Sequence, residues 1–367
     1  MRNERNIMNK KKNTNIIGIP RALSYYNNYP FYYGFLKSLG FEIVLSDKTT
    51  SKIVNDGASL LVSDTCLPLK VFAGHVVNLL DKGIDTIFVP SLQSNGYKIN
   101  NCSKIRGLPD IIRNVIDRPF KLIEPVLNKT EGFGLKSFCR DIARQLGIKN
   151  EYMIKKSIKA GWECYNSFIK TAHSGVPQSA AVESAVSKKQ ISKSPELVKP
   201  ISVVIMAHGY NLYDERISMR LLKKLEDMGV KAYTSLSITR DEQINSIRML
   251  GEIQYWANEP DLTGVAAYYL LNKKVDGIIA LSTFGCGPDS LMVDEIQYHA
   301  NQKGMPIIHL ITDEHTGEAG FVTRLEAFID MLQRKKMKVN KVLKINNVIN
   351  MMTAAKKEAK VSVKATR

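Results

Sequence analysis

Residues 277–288 read Gly277-Ile278-Ile279-Ala280-Leu281-Ser282-Thr283-Phe284-Gly285-Cys286-Gly287-Pro288. Five residues, Gly277–Leu281, carry no polar side chain, the pattern of a strand buried on both faces of a parallel sheet. A short Ser/Thr/Gly loop follows, and Pro288 suits the first turn of a helix. Strand, loop and helix in this order make a βα unit. The rest of the chain repeats the theme. On one side, Ile201–Met206 is a strand, Asp214–Met228 an amphipathic helix stopping at Gly229, and Val230–Leu236 a strand. A long helical stretch through Trp256 to Leu271, broken near Pro260, leads up to it. On the other side come a helix over Pro288–Ala300, a strand over Pro306–Ile311 and a helix over Gly320–Leu332.

The first third of the chain has the same alternation. Strands are expected at Asn15–Ile19, Phe41–Leu45, Ser59–Ser63 and Thr86–Val89, with helices at Pro30–Leu39 and Pro68–Leu80. Alternating β and α elements imply an α/β fold with parallel sheets. The two stretches match in outline: a strand ends at Gly18 or Gly209, and the next helix ends at Gly40 or Gly229. The expectation is two doubly wound lobes related as a pseudo-repeat, with a cleft between them. Residues 14–130 form the first lobe, 131–174 a helical segment without strands, 175–200 a Ser/Ala/Lys-rich linker and 201–332 the second lobe.

The chain has 367 residues and a formal net charge of +17. Residues 1–13 carry +4 and residues 331–367 carry +10, which leaves +3 for everything between. The segments 1–13 and 333–367 therefore read as basic, solvated tails, and the body lacks the basic stripe of a specific nucleic-acid binder. No apolar run reaches the roughly 18 residues of a membrane span, and no secretory leader is visible. Five cysteines are too sparse for a disulfide scaffold, and a cytoplasmic location is expected.

Three of those cysteines stand apart. Cys66 lies in Ser63-Asp64-Thr65-Cys66-Leu67-Pro68, which resembles the Cys286 stretch, and Cys102 lies in the polar loop Tyr97–Arg106. All three are expected at the carboxyl edge of the sheets, where open α/β folds bind ligands. A neighbouring helix N-terminus is expected to favour the thiolate. Cys139 and Cys164 instead share helical stripes with Leu135, Ile142, Leu146 and Phe168, as small buried hydrophobes do. Three dispersed thiols admit two readings. Zinc requires a fourth N or S ligand, from His208, His315 or His75. An iron–sulfur cubane is held by thiolates, and three of them leave one iron open.

Six segments in order carry a resemblance. They are Gly18-Ile19-Pro20-Arg21-Ala22-Leu23, Cys66-Leu67-Pro68-Leu69-Lys70, Gly107-Leu108-Pro109-Asp110, Tyr210-Asn211-Leu212-Tyr213-Asp214, Phe284-Gly285-Cys286-Gly287-Pro288-Asp289-Ser290 and Asp313-Glu314-His315-Thr316-Gly317-Glu318-Ala319-Gly320. Together, over about residues 15–332, they resemble the acyl-CoA dehydratase activase-related proteins. That group is similar to the iron–sulfur subunits of 2-hydroxyacyl-CoA dehydratases and benzoyl-CoA reductases. The resemblance implies a [4Fe-4S] cluster on Cys66, Cys102 and Cys286. It implies low-potential electrons delivered by a separate ATP-hydrolysing activase and used on an acyl-CoA or similar thioester. It also implies a homodimer or a second cluster subunit. Pro is expected after the middle cysteine, and Ser103 stands there instead.

Other groups at the same edge are candidates for acid–base work: Glu314, His315 and His208. Arg21 reads as an anion partner or an ordinary ion pair, and His75 as a packed core residue. Lys70 and Asp289, beside the two helix starts, are candidate contacts for the activase. The alternative readings are a non-catalytic electron-transfer or scaffold subunit with the same cluster, and a zinc-stabilised binding module.

Overall fold

The structure is a computed structural model, and it describes residues 15–96, 99–191, 200–272 and 274–338. Two four-stranded parallel sheets organise it. The first contains β1 (Ile16–Ile19), β2 (Glu42–Leu45), β3 (Thr86–Phe88) and, after two strands of a smaller sheet, β6 (Lys121–Ile123). That smaller sheet joins β4 (Ser91–Gly96), β5 (Ile99–Asn100) and β7 (Val126–Asn128). The second parallel sheet contains β8 (Ile201–Met206), β9 (Val230–Tyr233), β10 (Gly277–Thr283) and β11 (Ile307–Thr312).

In both parallel sheets the spatial order is second, first, third, fourth: β2-β1-β3-β6 and β9-β8-β10-β11. The pseudo-repeat expected from the sequence is thus a repeat of topology. Each sheet has its switch point between its first and third strands, and there the connections diverge to opposite faces and leave a crevice at the carboxyl ends.

Side chains alternate along each strand between two cores, as the period of 2 requires. In the first lobe, Ile87 and Val89 face the helices Leu67–Asp81 and Leu108–Val115, while Ile17, Ile19 and Phe88 face Tyr25–Ser38 and Leu135–Gln145. In the second, Val203, Ile205, Ile279 and Leu281 meet Leu221, Leu225, Leu325 and Phe328. Val204, Met206, Ile278 and Ala280 meet Val265, Tyr269, Met292 and Ile296.

Four expectations need correction. Ser59–Ser63 is not a strand. The helix Ser51–Leu60 takes its first two residues, and Leu61–Ser63 follow as irregular chain; the helix is begun by Thr50, whose hydroxyl accepts the Ile53 N–H at 3.2 Å. Gly57 and Gly74 let this helix lie against Leu67–Asp81, and a Cβ on either would stand under 2 Å from the other helix's backbone oxygen. Asp214–Met228 is not one helix. The Asp214 carboxylate accepts the N–H groups of Arg216 and Ile217, Ile217 packs into the first lobe's core, and Met219 and Arg220 turn left-handed before the helix Leu221–Asp227. Residues 178–187 of the expected linker form a helix on the Glu151–His173 helix, with Ala181 and Ala185 buried against Phe168 and Ala172. The last helix covers 318–338, so the segment from 333 starts helical. Residues 1–14 and 339–367 lie outside the described residues, as do 97, 98 and 192–199.

Candidate functional site

Each of the three singled-out cysteines occupies the residue that begins a helix: Cys66 before Leu67–Asp81, Cys102 before Ser103–Arg106 and Cys286 before Gly287–Gln302. Pro68 and Pro288 sit in the first turns, where a missing N–H costs nothing. Ser103 serves the same start without a proline. All three thiols are half-buried and free.

The loops carrying them are tied through one carbonyl. Gly285 has φ +76, and a Cβ built there would stand 3.0 Å from the Asp64 oxygen and 3.6 Å from the Cys66 nitrogen. The same Asp64 oxygen accepts Lys104 Nζ at 3.3 Å. Gly285 precedes Cys286, Asp64 lies two residues before Cys66, and Lys104 lies two residues after Cys102. Three segments distant in sequence therefore converge.

The topology corrects the reading of how they converge. Cys286 follows β10, the third strand of its sheet. Its counterpart in the first lobe is the segment after β3, which contains Cys102. Cys66 belongs between the second and third strands. The likeness of the Cys66 and Cys286 stretches is shared helix-start chemistry, not equivalence within the repeat.

Tyr210 lies within electrostatic reach of all three thiols. Burial, then the charge of Asp289 and of Cys286, Cys102 and Cys66, hold its phenol well above the ordinary range. Its ring stacks on His208, with centroids 4.7 Å apart. Burial also raises the Cys66 thiol, against the pull of the Lys104 charge and the Leu69 amide. It raises Cys286 much further, with Asp289 adding to it. At Cys66 and Cys286 desolvation thus outweighs the helix termini.

His208 follows β8 at the start of the helix Gly209–Leu212 and Asp289 sits in the first turn of the helix after β10, so they face each other across the second lobe's switch point. His208 Nε2 stands 3.0 Å from Asp289 Oδ1, without the alignment of a hydrogen bond. Asp289 is 1% exposed, and neither of its oxygens has a hydrogen-bond partner. Thr283 and Thr312, at the ends of β10 and β11, also have unpartnered buried hydroxyls.

The other candidates divide. Glu314 pairs with Lys70, Nζ to Oε1 at 2.5 Å, and Lys70 also donates to the Ser63 carbonyl at 2.9 Å. This pair fastens the Cys66 loop to the loop after β11, which commits Glu314 to structure. His315 is exposed, and its N–H caps Asp313. Lys70 is 2% exposed, so neither it nor Asp289 can be a surface contact. Arg21 binds Ser46 through its backbone N–H and Nε, an ordinary structural role. His75 is fully buried and packed. Cys139 is buried in the first core, and Cys164 donates to the Ala185 carbonyl at 3.3 Å. Among the described residues, no three His, Cys, Asp or Glu side chains close on a single metal ion.

Sequence reasoning passed over Tyr210 and Asp214 as individuals, though both lie in one quoted segment. Asp214 pins the lobes together, accepting the Tyr26 hydroxyl at 3.0 Å and the Thr49 hydroxyl. A cavity of about 550 Å³ lies between the lobes, lined among others by Phe31, Trp162, Tyr165, Asn101 and Arg240. Cys66, Cys102 and Cys286 are not part of its wall.

No described helix is long and apolar enough to cross a membrane. No curated protein matches the chain. A family model matches residues 16–238, which include Cys66, Cys102 and His208 and end before Cys286. By that match over more than half its length, the chain belongs to the family described as the CoA enzyme activase uncharacterised domain (DUF2229).

Proposed function

We propose that this protein is a [4Fe-4S] component of the acyl-CoA dehydratase system, with Cys66, Cys102 and Cys286 as cluster ligands. Its electrons come from a separate ATP-hydrolysing activase. Membership of a CoA-enzyme activase family supports the system. The observation that supports the cluster is the convergence of the three loops that carry the helix-starting cysteines, with Gly285 and Lys104 both against the Asp64 carbonyl.

The donor set fits the group. A cubane spreads its thiolate ligands over several irons, wider than the single point at which a zinc ion needs all its donors. Bound there, it supplies reversible one-electron storage at low potential. The chain's own residues do the rest. The loops exclude bulk water by burial, Lys104 offsets thiolate charge, and Lys70 with Glu314 fixes the Cys66 loop. Val62, Phe284 and Leu291 are exposed in the segments that carry Cys66 and Cys286, large apolar side chains suited to a docking partner. Purification without oxygen, with iron and sulfide analysis, tests this directly; a colourless protein containing zinc sinks it.

A second reading is an electron carrier without a substrate of its own. The cavity favours it, because the thiols are absent from the cavity wall.

A further inference from the structure

The cavity of about 550 Å³ between the lobes has the size of a small-molecule site, for which roughly 300–1,000 Å³ is usual. We infer that it binds an uncharged, planar heteroaromatic molecule whose edge carries both hydrogen-bond donors and acceptors.

One wall is aromatic. Trp162, Tyr165 and Phe168 recur every third residue of the helix Glu151–His173 and so lie along one side of it. Phe31, from the helix Tyr25–Ser38, meets Trp162 edge-on with ring centroids 5.5 Å apart. Gly161 permits that approach, since a Cβ there would stand 2.9 Å from the Phe31 ring. Trp162 remains 42% exposed, so ring surface is available for another flat ring to cover.

Other parts of the wall carry amides. Asn101 donates through Nδ2 to the Leu92 carbonyl at 2.8 Å, and Asn95 to the Ala257 carbonyl at 3.1 Å. Among the described residues neither Oδ1 has a hydrogen-bond partner, and the Asn258 side chain makes no hydrogen bond. Amides offer donors and acceptors side by side, which matches a lactam or imide edge. A purely apolar occupant would leave them without partners.

Charge argues for a neutral occupant. Arg240 and Asp261 pair at 2.8 Å within the wall, and Arg240 also donates to the Ala257 carbonyl at 2.8 Å. Lys129 and His173, which also line the cavity, are exposed. A charged molecule would lose hydration here without an opposite charge free inside the cavity to receive it. The occupant touches both lobes, through Phe31 and Asn101 on one and Asn258 on the other. Asn101 immediately precedes Cys102, so a ligand held by Asn101 also steadies that helix start. None of this depends on what the thiols hold.

The test titrates the full chain, purified without oxygen, with three bicyclic probes of similar size: quinazoline-2,4-dione, naphthalene-2-carboxylate and naphthalene. Binding is read by calorimetry and by tryptophan fluorescence, with Trp256→Phe leaving Trp162 as the single tryptophan. The dione is expected to bind once per chain, to quench Trp162, and to bind about tenfold more tightly than either other probe. Asn101→Leu is expected to weaken the dione about tenfold and to spare naphthalene. Equal binding of the dione and naphthalene overturns recognition of the edge, and tighter binding of the carboxylate overturns the neutral class. No binding of any probe at millimolar concentration overturns the inference and leaves a cavity that holds water only. Iron and sulfide measured on the same samples bear on the cluster reading alone. The wild-type calorimetry stands even if a variant does not fold.

Discussion

At the scale of single residues, the environment separates cysteines that look alike in the sequence. Burial drives the Cys139 thiol up to about 12 with no polar neighbour to use it. Cys66, Cys102 and Cys286 are half-buried at helix starts. Alanine at any of these three is expected to remove most of the bound iron, whereas Cys139→Ala and Cys164→Ala keep it, as read by iron analysis of each purified variant. His75 illustrates a second consequence of burial. Its Nε2 meets the Thr49 hydroxyl at 3.0 Å, and that hydroxyl donates onward to Asp214, so Nε2 carries the proton. Burial first, then the Arg21 charge, lowers its pKa to about 3. The unfolded chain therefore binds a proton between pH 6.5 and 3 that the folded chain refuses, so His75 destabilises the fold as pH falls through that window. Lowering pH from 6.5 to 5 is expected to cost the wild type about 1.5 kcal/mol more than His75→Gln, measured by urea unfolding at the two pH values. Equal losses would show that His75 is protonated in the native state.

At the scale of elements, two glycines decide where Cys66 stands. A Cβ on Gly74 would meet the Ile53 oxygen at 1.9 Å, and backbone on a packed helix cannot yield cheaply. Gly74→Ala is expected to cost about 3 kcal/mol, the upper range for overpacking, and to lower iron content by displacing the Cys66 helix. Unchanged unfolding curves would show that the two helices separate freely. These glycines also explain why the sequence misled at Ser59–Ser63. The apolar run Leu60–Val62 is only three residues long, and the helix that ends at Leu60 is held by packing against a partner that is invisible in local spacing. The long runs were legible for the opposite reason: Ile201–Met206 and Gly277–Leu281 are apolar throughout, and burial on two faces leaves that mark in any window. Pro288 and Gly287 made the Cys286 helix start readable. Asp214 was not readable, because its hydrogen bonds reach Tyr26 and Thr49, 188 and 165 residues away. The pairing of Cys286 with Cys102 was hidden likewise. Only the strand order, second-first-third-fourth in both sheets, reveals it.

At the scale of the whole molecule, the two lobes are tied at several points: Asp214 to Tyr26, Lys70 to Glu314, and Gly285 against Asp64. The site therefore exists only when both lobes are docked. Val62, Phe284 and Leu291 are exposed in the segments that carry Cys66 and Cys286, and under the proposed function these side chains are where a reducing partner docks. Phe284→Ser is expected to keep its iron while losing about tenfold in the rate of ATP-dependent reduction by an activase from the same source, a change of about 1.4 kcal/mol in the docking step. An unchanged rate would move the docking surface elsewhere. All of this depends on what the three thiols hold, and one measurement addresses it. Protein made and purified without oxygen is analysed for iron and acid-labile sulfide, then reduced and examined by EPR. The account predicts a brown protein with about four iron and four sulfide per chain and the signal of a reduced cubane. Wild-type protein with neither iron nor sulfide, or Cys286→Ala protein with its full cluster, would contradict it.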